Sequence, residues 1–76
     1  SSIVGFDENE FLLLENKDFI KSSIKLLTNE EKRLIIHRYY RNLTQKEIAK
    51  RWNVSQMYIS RLERKTLEKL KNMYLK

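Results

Sequence analysis

The sequence predicts an all-α fold: a small helical bundle of four to five helices containing a helix-turn-helix. Three observations carry that expectation. Glycine occurs once and proline not at all in 76 residues, too few for a turn-rich β fold, while Lys, Glu, Leu and Ile dominate and suit helices. Two Thr-x-x-Glu strings, Thr28-Asn29-Glu30-Glu31 and Thr44-Gln45-Lys46-Glu47, are capping boxes. In each, the Thr oxygen accepts from the third residue's N–H and the Glu reaches back to the Thr N–H. The stretch Leu43 to Arg64, LTQKEIAKRWNVSQMYISRLER, reads as two short helices joined by a tight turn.

Taken in order, residues 1–9 are polar, hold the single glycine, Gly5, and show no sustained period, so they read as a linker or flexible N-terminus. Residues 10–76 form the domain. A first helical stretch runs from about Glu10 to Leu27, with Leu13, Ile20, Ile24 and Leu27 at helical spacing and Lys17, Lys21 and Lys25 on another face. Asn16 and Asp18 are positions that can divide it. A second helix starts at Asn29 and runs to about Tyr40, turning Leu34, Ile35 and Tyr39 to the core. The third starts after Thr44 and ends near Trp52. Asn53 follows, a residue that tolerates the left-handed conformation a tight turn needs. Ser55 caps a fourth helix, in which Ile59, Leu62, Thr66, Leu70 and Met73 recur at steps of three or four, reaching Tyr74.

Composition narrows the function classes. There is no cysteine and one histidine, so neither a disulfide nor a zinc cluster is expected, and no cofactor is implied. His37 reads as structural or exposed. No apolar run approaches the ~20 residues that span a bilayer, and no secretory signal opens the chain, so a cytoplasmic location without membrane contact is the expectation. The chain opens without Met, the pattern of a fragment of something longer. No nucleophile–base pair, carboxylate pair or phosphate-cradling glycine loop is present, so nothing points to an enzyme. Net charge is +6, unevenly spread. Residues 1–31 hold seven acids and three bases, net −4; residues 32–76 hold thirteen bases and three acids, net +10. The positive field lies on the half that carries the helix-turn-helix, which points to a polyanion.

Two helices that cross steeply need a small side chain at closest approach, and Ala49 sits there. Ile48, Trp52, Val54, Ile59 and Leu62 are then the small core between them. Gln56, Met57, Ser60, Arg61 and Arg64 project the other way, at steps of one, three or four. A major groove admits one α-helix, whose N-terminal residues reach base edges. Arg61 can pair bidentately with guanine and Gln56 with adenine, Ser60 permits close approach, and Met57 suits a thymine methyl. Arg64, Lys65, Lys69 and Lys71 suit phosphates, as do Thr44 and Ser55 at helix N-termini. The competing reading is a solvated helix face on which Glu63 and Glu68 pair with nearby lysines. Trp52, Tyr39, Tyr58 and Phe19 read as core, with the Tyr58 hydroxyl a further candidate for a DNA phosphate.

Residues 27–71, LTNEEKRLIIHRYYRNLTQKEIAKRWNVSQMYISRLERKTLEKLK, resemble region 4 of bacterial sigma factors. The shared features are the Leu-Thr opening, an apolar helix ending in Arg-Tyr, a threonine-capped helix-turn-helix and a Lys-rich tail. VSQMYISRLERK, residues 54–65, is more similar to alternative factors of sporulation and general stress response than to housekeeping ones, and IVGFDENEF upstream resembles the linker before region 4. The resemblance implies a C-terminal domain that recognises the promoter −35 element in duplex DNA and docks on the β flap of RNA polymerase core. It assigns groove reading to Gln56, Met57, Ser60 and Arg61, and phosphate contacts to Thr44, Lys65 and Lys71. Housekeeping members carry Arg-Glu where this chain has Gln56-Met57, so a different promoter sequence is expected. An anti-sigma factor or another regulator is a further candidate partner. Ile35, Leu67, Leu70 and Tyr74 are candidates for flap or regulator docking, with plain core as their alternative. The alternative functions are a helix-turn-helix output domain of another transcription regulator, LuxR-like, which would dimerise on a palindrome, and a helical protein-interaction module.

Overall fold

The computed structural model describes residues 17–74; the expected linker over residues 1–9 and the expected helix start at Glu10, with Leu13 and Asn16, lie outside them. Four α-helices follow: α1 (Lys17–Ser23), α2 (Asn29–Ile35), α3 (Gln45–Trp52) and α4 (Gln56–Tyr74). A 3-10 turn, Ile24–Leu26, closes α1, and a π-helical segment, Ile36–Tyr40, continues α2.

Both predicted capping boxes are formed. The Glu31 and Glu47 N–H groups donate to the Thr28 and Thr44 hydroxyls, at 3.2 and 3.0 Å. The Thr28 and Thr44 N–H groups donate back to Glu31 and Glu47, at 2.9 and 2.8 Å. The turn between α3 and α4 is also as expected, with Asn53 left-handed at φ 58° and ψ 46°. Val54 N–H donates to Ala49 O and Asn53 N–H to Lys50 O, the paired bonds of a Schellman ending. Asn53→Val should therefore cost about 1–2 kcal/mol in urea denaturation, whereas Asn53→Gly should be near neutral, because a Cβ clashes with the following carbonyl at this φ, a branched one most, and glycine has none.

The core has two centres, and α2 and α4 serve both. Leu34, Ile48, Ala49, Ile59 and Leu62 pack under the helix-turn-helix, flanked by Leu43 and Trp52. Ile20, Leu27, Ile35, Leu67 and Leu70 pack under α1, flanked by Phe19, Ile24, Tyr39 and Met73. Adjacent Leu34 and Ile35 thus feed different centres. The length of α4 has the same origin: its first half closes the helix-turn-helix and its second half covers α1.

Several side chains depart from expectation. Val54, expected in the small core, is exposed, because the left-handed turn before it rotates it outward. Tyr58, expected as core, is also exposed and gives its hydroxyl to the Glu30 carboxylate on α2. That bond raises the Tyr58 phenol above its ordinary pKa. The second helix does not stay α-helical to Tyr40. It widens to π at Ile36, with Arg41 N–H bonded to Ile36 O at 3.0 Å. A π turn narrows the angle between neighbouring side chains, and here consecutive Arg38 and Tyr39 reach one carboxylate, that of Glu63.

Glu31 joins α2 to the far half of α4. It is 2% exposed and accepts from Lys69 Nζ at 2.9 Å as well as from Thr28. Burial pushes its carboxyl up, but the Thr28 bonds and the Lys69 charge together hold it below the ordinary range. A depressed folded pKa means that the unfolded chain binds more protons. The stability Glu31 supplies is present above about 4.5, the ordinary value, and is lost as pH falls through the lower folded one. Acid titration of unfolding should show this loss, and Glu31→Gln should flatten it.

Candidate nucleic-acid interface

The turn at Asn53 sets α4 so that its first two turns bury one side and bare the other. Ile59, Leu62 and Glu63 are buried; Gln56, Met57, Arg61 and Arg64 are exposed, and Ser60 is half-buried. The five predicted ridge residues thus share one face of α4, with Met57 62% exposed at its prow. Gln56, Met57 and Ser60 also line a shallow open depression of about 360 Å³, whose other wall is Gln45 of α3.

The ridge is cationic and unspent. Arg61 Nη2 touches only Met57 Sδ, 3.4 Å away, a weak acceptor. Among the described residues, neither Arg61 nor Arg64 makes an ion pair; the pairs are Arg38–Glu63 and Lys69–Glu31. Lys46, Lys50 and Arg51 of α3 are exposed as well.

The candidate phosphate residues divide. Thr44 and Ser55 sit at the N-termini of α3 and α4, their hydroxyl oxygens accepting from the N–H groups of Glu47 and Tyr58, each at 3.0 Å. The hydroxyl protons stay available to an anion, although Glu47, kept ionised by its Thr44 bonds, lies one turn away. Arg64 and Lys65 are exposed and Lys71 is half-buried. Lys69 is a correction: it is spent on Glu31, and nine residues at 100° each set it opposite Ser60 on the helix. The docking candidates divide as well. Ile35, Leu67 and Leu70 are at most 1% exposed and belong to the core beneath α1, so they offer no surface. Tyr74 alone is exposed, its ring 5.0 Å from Phe19 and edge-on.

Two residues carry more than the sequence suggested. Glu63, which the competing reading paired with lysines on a solvated face, is 1% exposed. It accepts from Arg38 Nε at 3.1 Å, the Tyr39 hydroxyl at 2.5 Å and Gln45 Nε2 at 2.8 Å. Arg38 also donates to Leu43 O, so this network ties the π segment, the start of α3 and α4 together. The signal was present: Glu63 shares the spacing of Ile59, Thr66 and Leu70. Trp52 is half-buried as a packing residue, with the Arg33 guanidinium 5.0 Å from its ring centroid and His37 edge-on at 5.9 Å. His37 Nδ1 lies 2.7 Å from Arg33 O, consistent with a structural part. Among the described residues, no group of three His, Cys, Asp or Glu side chains could hold a metal, and no helix is long and apolar enough to cross a membrane.

Comparison with known proteins agrees with this geometry. Residues 24–72 match the family model "Sigma-70, region 4". The RNA polymerase sigma-F factor of Bacillus licheniformis is 44% identical over 57 residues, covering 75% of this chain and 22% of that protein. The sigma-F factor of Kitasatospora aureofaciens is 33% identical over 69 residues, 91% of this chain and 23% of that protein. The sigma-B factor of Bacillus subtilis is 35% identical over 69 residues, 91% of this chain and 26% of that protein. The chain thus spans about a quarter of the length of these relatives. No solved structure matches it. With its two capping boxes, its Asn53 turn and its bared α4 ridge all inside the matched residues, the chain belongs to the sigma-70 region 4 family, on the side of the alternative factors.

Proposed function

We propose that this domain is the C-terminal module of an alternative sigma factor, which recognises the promoter −35 element in duplex DNA and docks on the RNA polymerase β flap. The exposed face of α4 is the observation that carries this reading. Gln56, Met57, Ser60 and Arg61 read base edges there, with Arg64, Lys65 and Lys71 along the phosphates and the N-termini at Thr44 and Ser55 adding further contacts. The part played by Ile35, Leu67 and Leu70 is to hold α4 against α1. Tyr74 is the remaining apolar contact for the flap or for an anti-sigma factor.

Selection of duplexes from a random pool, with and without the flap domain, tests both parts. An asymmetric site is expected, bound by one copy of the chain. A palindrome bound by two copies would move the domain to another class of regulator. Affinity should also fall steeply with salt. Neutralising roughly 4–6 phosphates gives a log–log slope of about −4 to −5, and a flat response would remove DNA as the partner.

A further inference from the structure

One wall of the depression beside α4 has chemistry that the ridge reading leaves unused. Gln45, the first residue of α3, is 7% exposed yet lines that depression with Gln56, Met57 and Ser60. The two ends of its amide are not interchangeable. A carboxylate only accepts hydrogen bonds, so the atom 2.8 Å from Glu63 is the nitrogen, Nε2. Rotating the amide would press its carbonyl against Glu63, which Arg38 and Tyr39 hold in place. Oε1 therefore points away from Glu63. Among the described residues it has no partner, and the only side-chain atom both buried and unpaired is Trp52 Nε1. Oε1 is thus an unpaired acceptor that is not fully buried, on a residue that lines the depression.

We infer that Gln45 is a further specificity-determining residue, whose Oε1, oriented by Glu63, accepts a hydrogen bond from an exocyclic base amine in the major groove. The inference rests on α4 as the groove-reading helix. The ligand follows from the chemistry. A phosphate carries only acceptors and is repelled by a carbonyl oxygen. In the major groove, the donors are N4 of cytosine and N6 of adenine, whereas guanine and thymine present acceptors. Because Glu63 fixes the amide before DNA arrives, little freedom is lost on binding.

Random-pool selection with the 76-residue chain and its Gln45→Ala variant is the test. The wild-type chain enriches cytosine or adenine at a position separate from the one read by Arg61, and the variant loses that preference alone. Affinity for the enriched duplex falls about fivefold to tenfold, the size of one net hydrogen bond, with the salt slope unchanged. A second measurement changes the DNA instead. Removing the amine from that base (purine for adenine, pyrimidinone for cytosine) weakens wild-type binding by the same factor, and Gln45→Ala binds both duplexes equally. Uniform loss on all sequences, a shallower slope, or a preference that survives in Gln45→Ala overturns the assignment of Gln45 alone. A wild-type chain that enriches no duplex overturns the groove reading and this inference with it.

Discussion

Glu63→Ala should destabilise the domain by about 3–5 kcal/mol, the usual consequence of removing one partner from a buried ion pair. The substitution strands three donors at once: Arg38 Nε, the Tyr39 hydroxyl and Gln45 Nε2. Two of them come from the π segment, whose geometry has its purpose in meeting this carboxylate. A domain of 76 residues commands roughly 4–11 kcal/mol in total, so the variant should be largely unfolded at moderate urea. Glu63→Gln, which keeps the shape and one acceptor, should lose less. Glu68→Ala, at an exposed site five residues further along α4, should stay within about 0.5 kcal/mol of wild type. If urea midpoints for Glu63→Ala and Glu68→Ala coincide, the network is not holding α3 to α4.

Arg61→Ala should leave folding nearly untouched and change DNA recognition most. Arg61 is exposed, and Met57 Sδ is a poor acceptor, so its guanidinium surrenders little in turning to guanine. Losing a bidentate pair costs about 1–3 kcal/mol at one base pair, roughly 5- to 150-fold, and relaxes preference there. Competition binding with single-base variants of the selected duplex reads this directly. Equal losses across all sequences would move Arg61 to the sugar–phosphate backbone. Lys71→Ala provides the contrast, since a phosphate contact should weaken every duplex alike.

Local signals made most of the architecture legible. Thr28 and Thr44 start helices because a hydroxyl and a carboxylate three residues apart satisfy each other's neighbouring N–H groups. Asn53 turns the chain because its side chain tolerates positive φ, and Asn42, at φ 57°, ends the second helix for the same reason, a stop the sequence equally allowed but did not announce. The α4 ridge was readable from helical spacing alone. The docking surface was not. Ile35, Leu67 and Leu70 have the composition of either an interface or a core, and only the approach of α1, with Ile20 and Leu27, decides between them.

The sequence by itself determined the helices, their caps, the left-handed turn and the cationic ridge, because each depends on residues within a few positions of one another. Tertiary structure alone decided that Glu63 is a buried hub, that Lys69 answers Glu31 rather than an outside anion, that Tyr58 turns to Glu30 and that Gln45 lines the depression beside α4 with its amide held by Glu63. Those outcomes join residues 18 to 38 positions apart, and a charged or amide side chain carries no local mark of which distant partner will desolvate it.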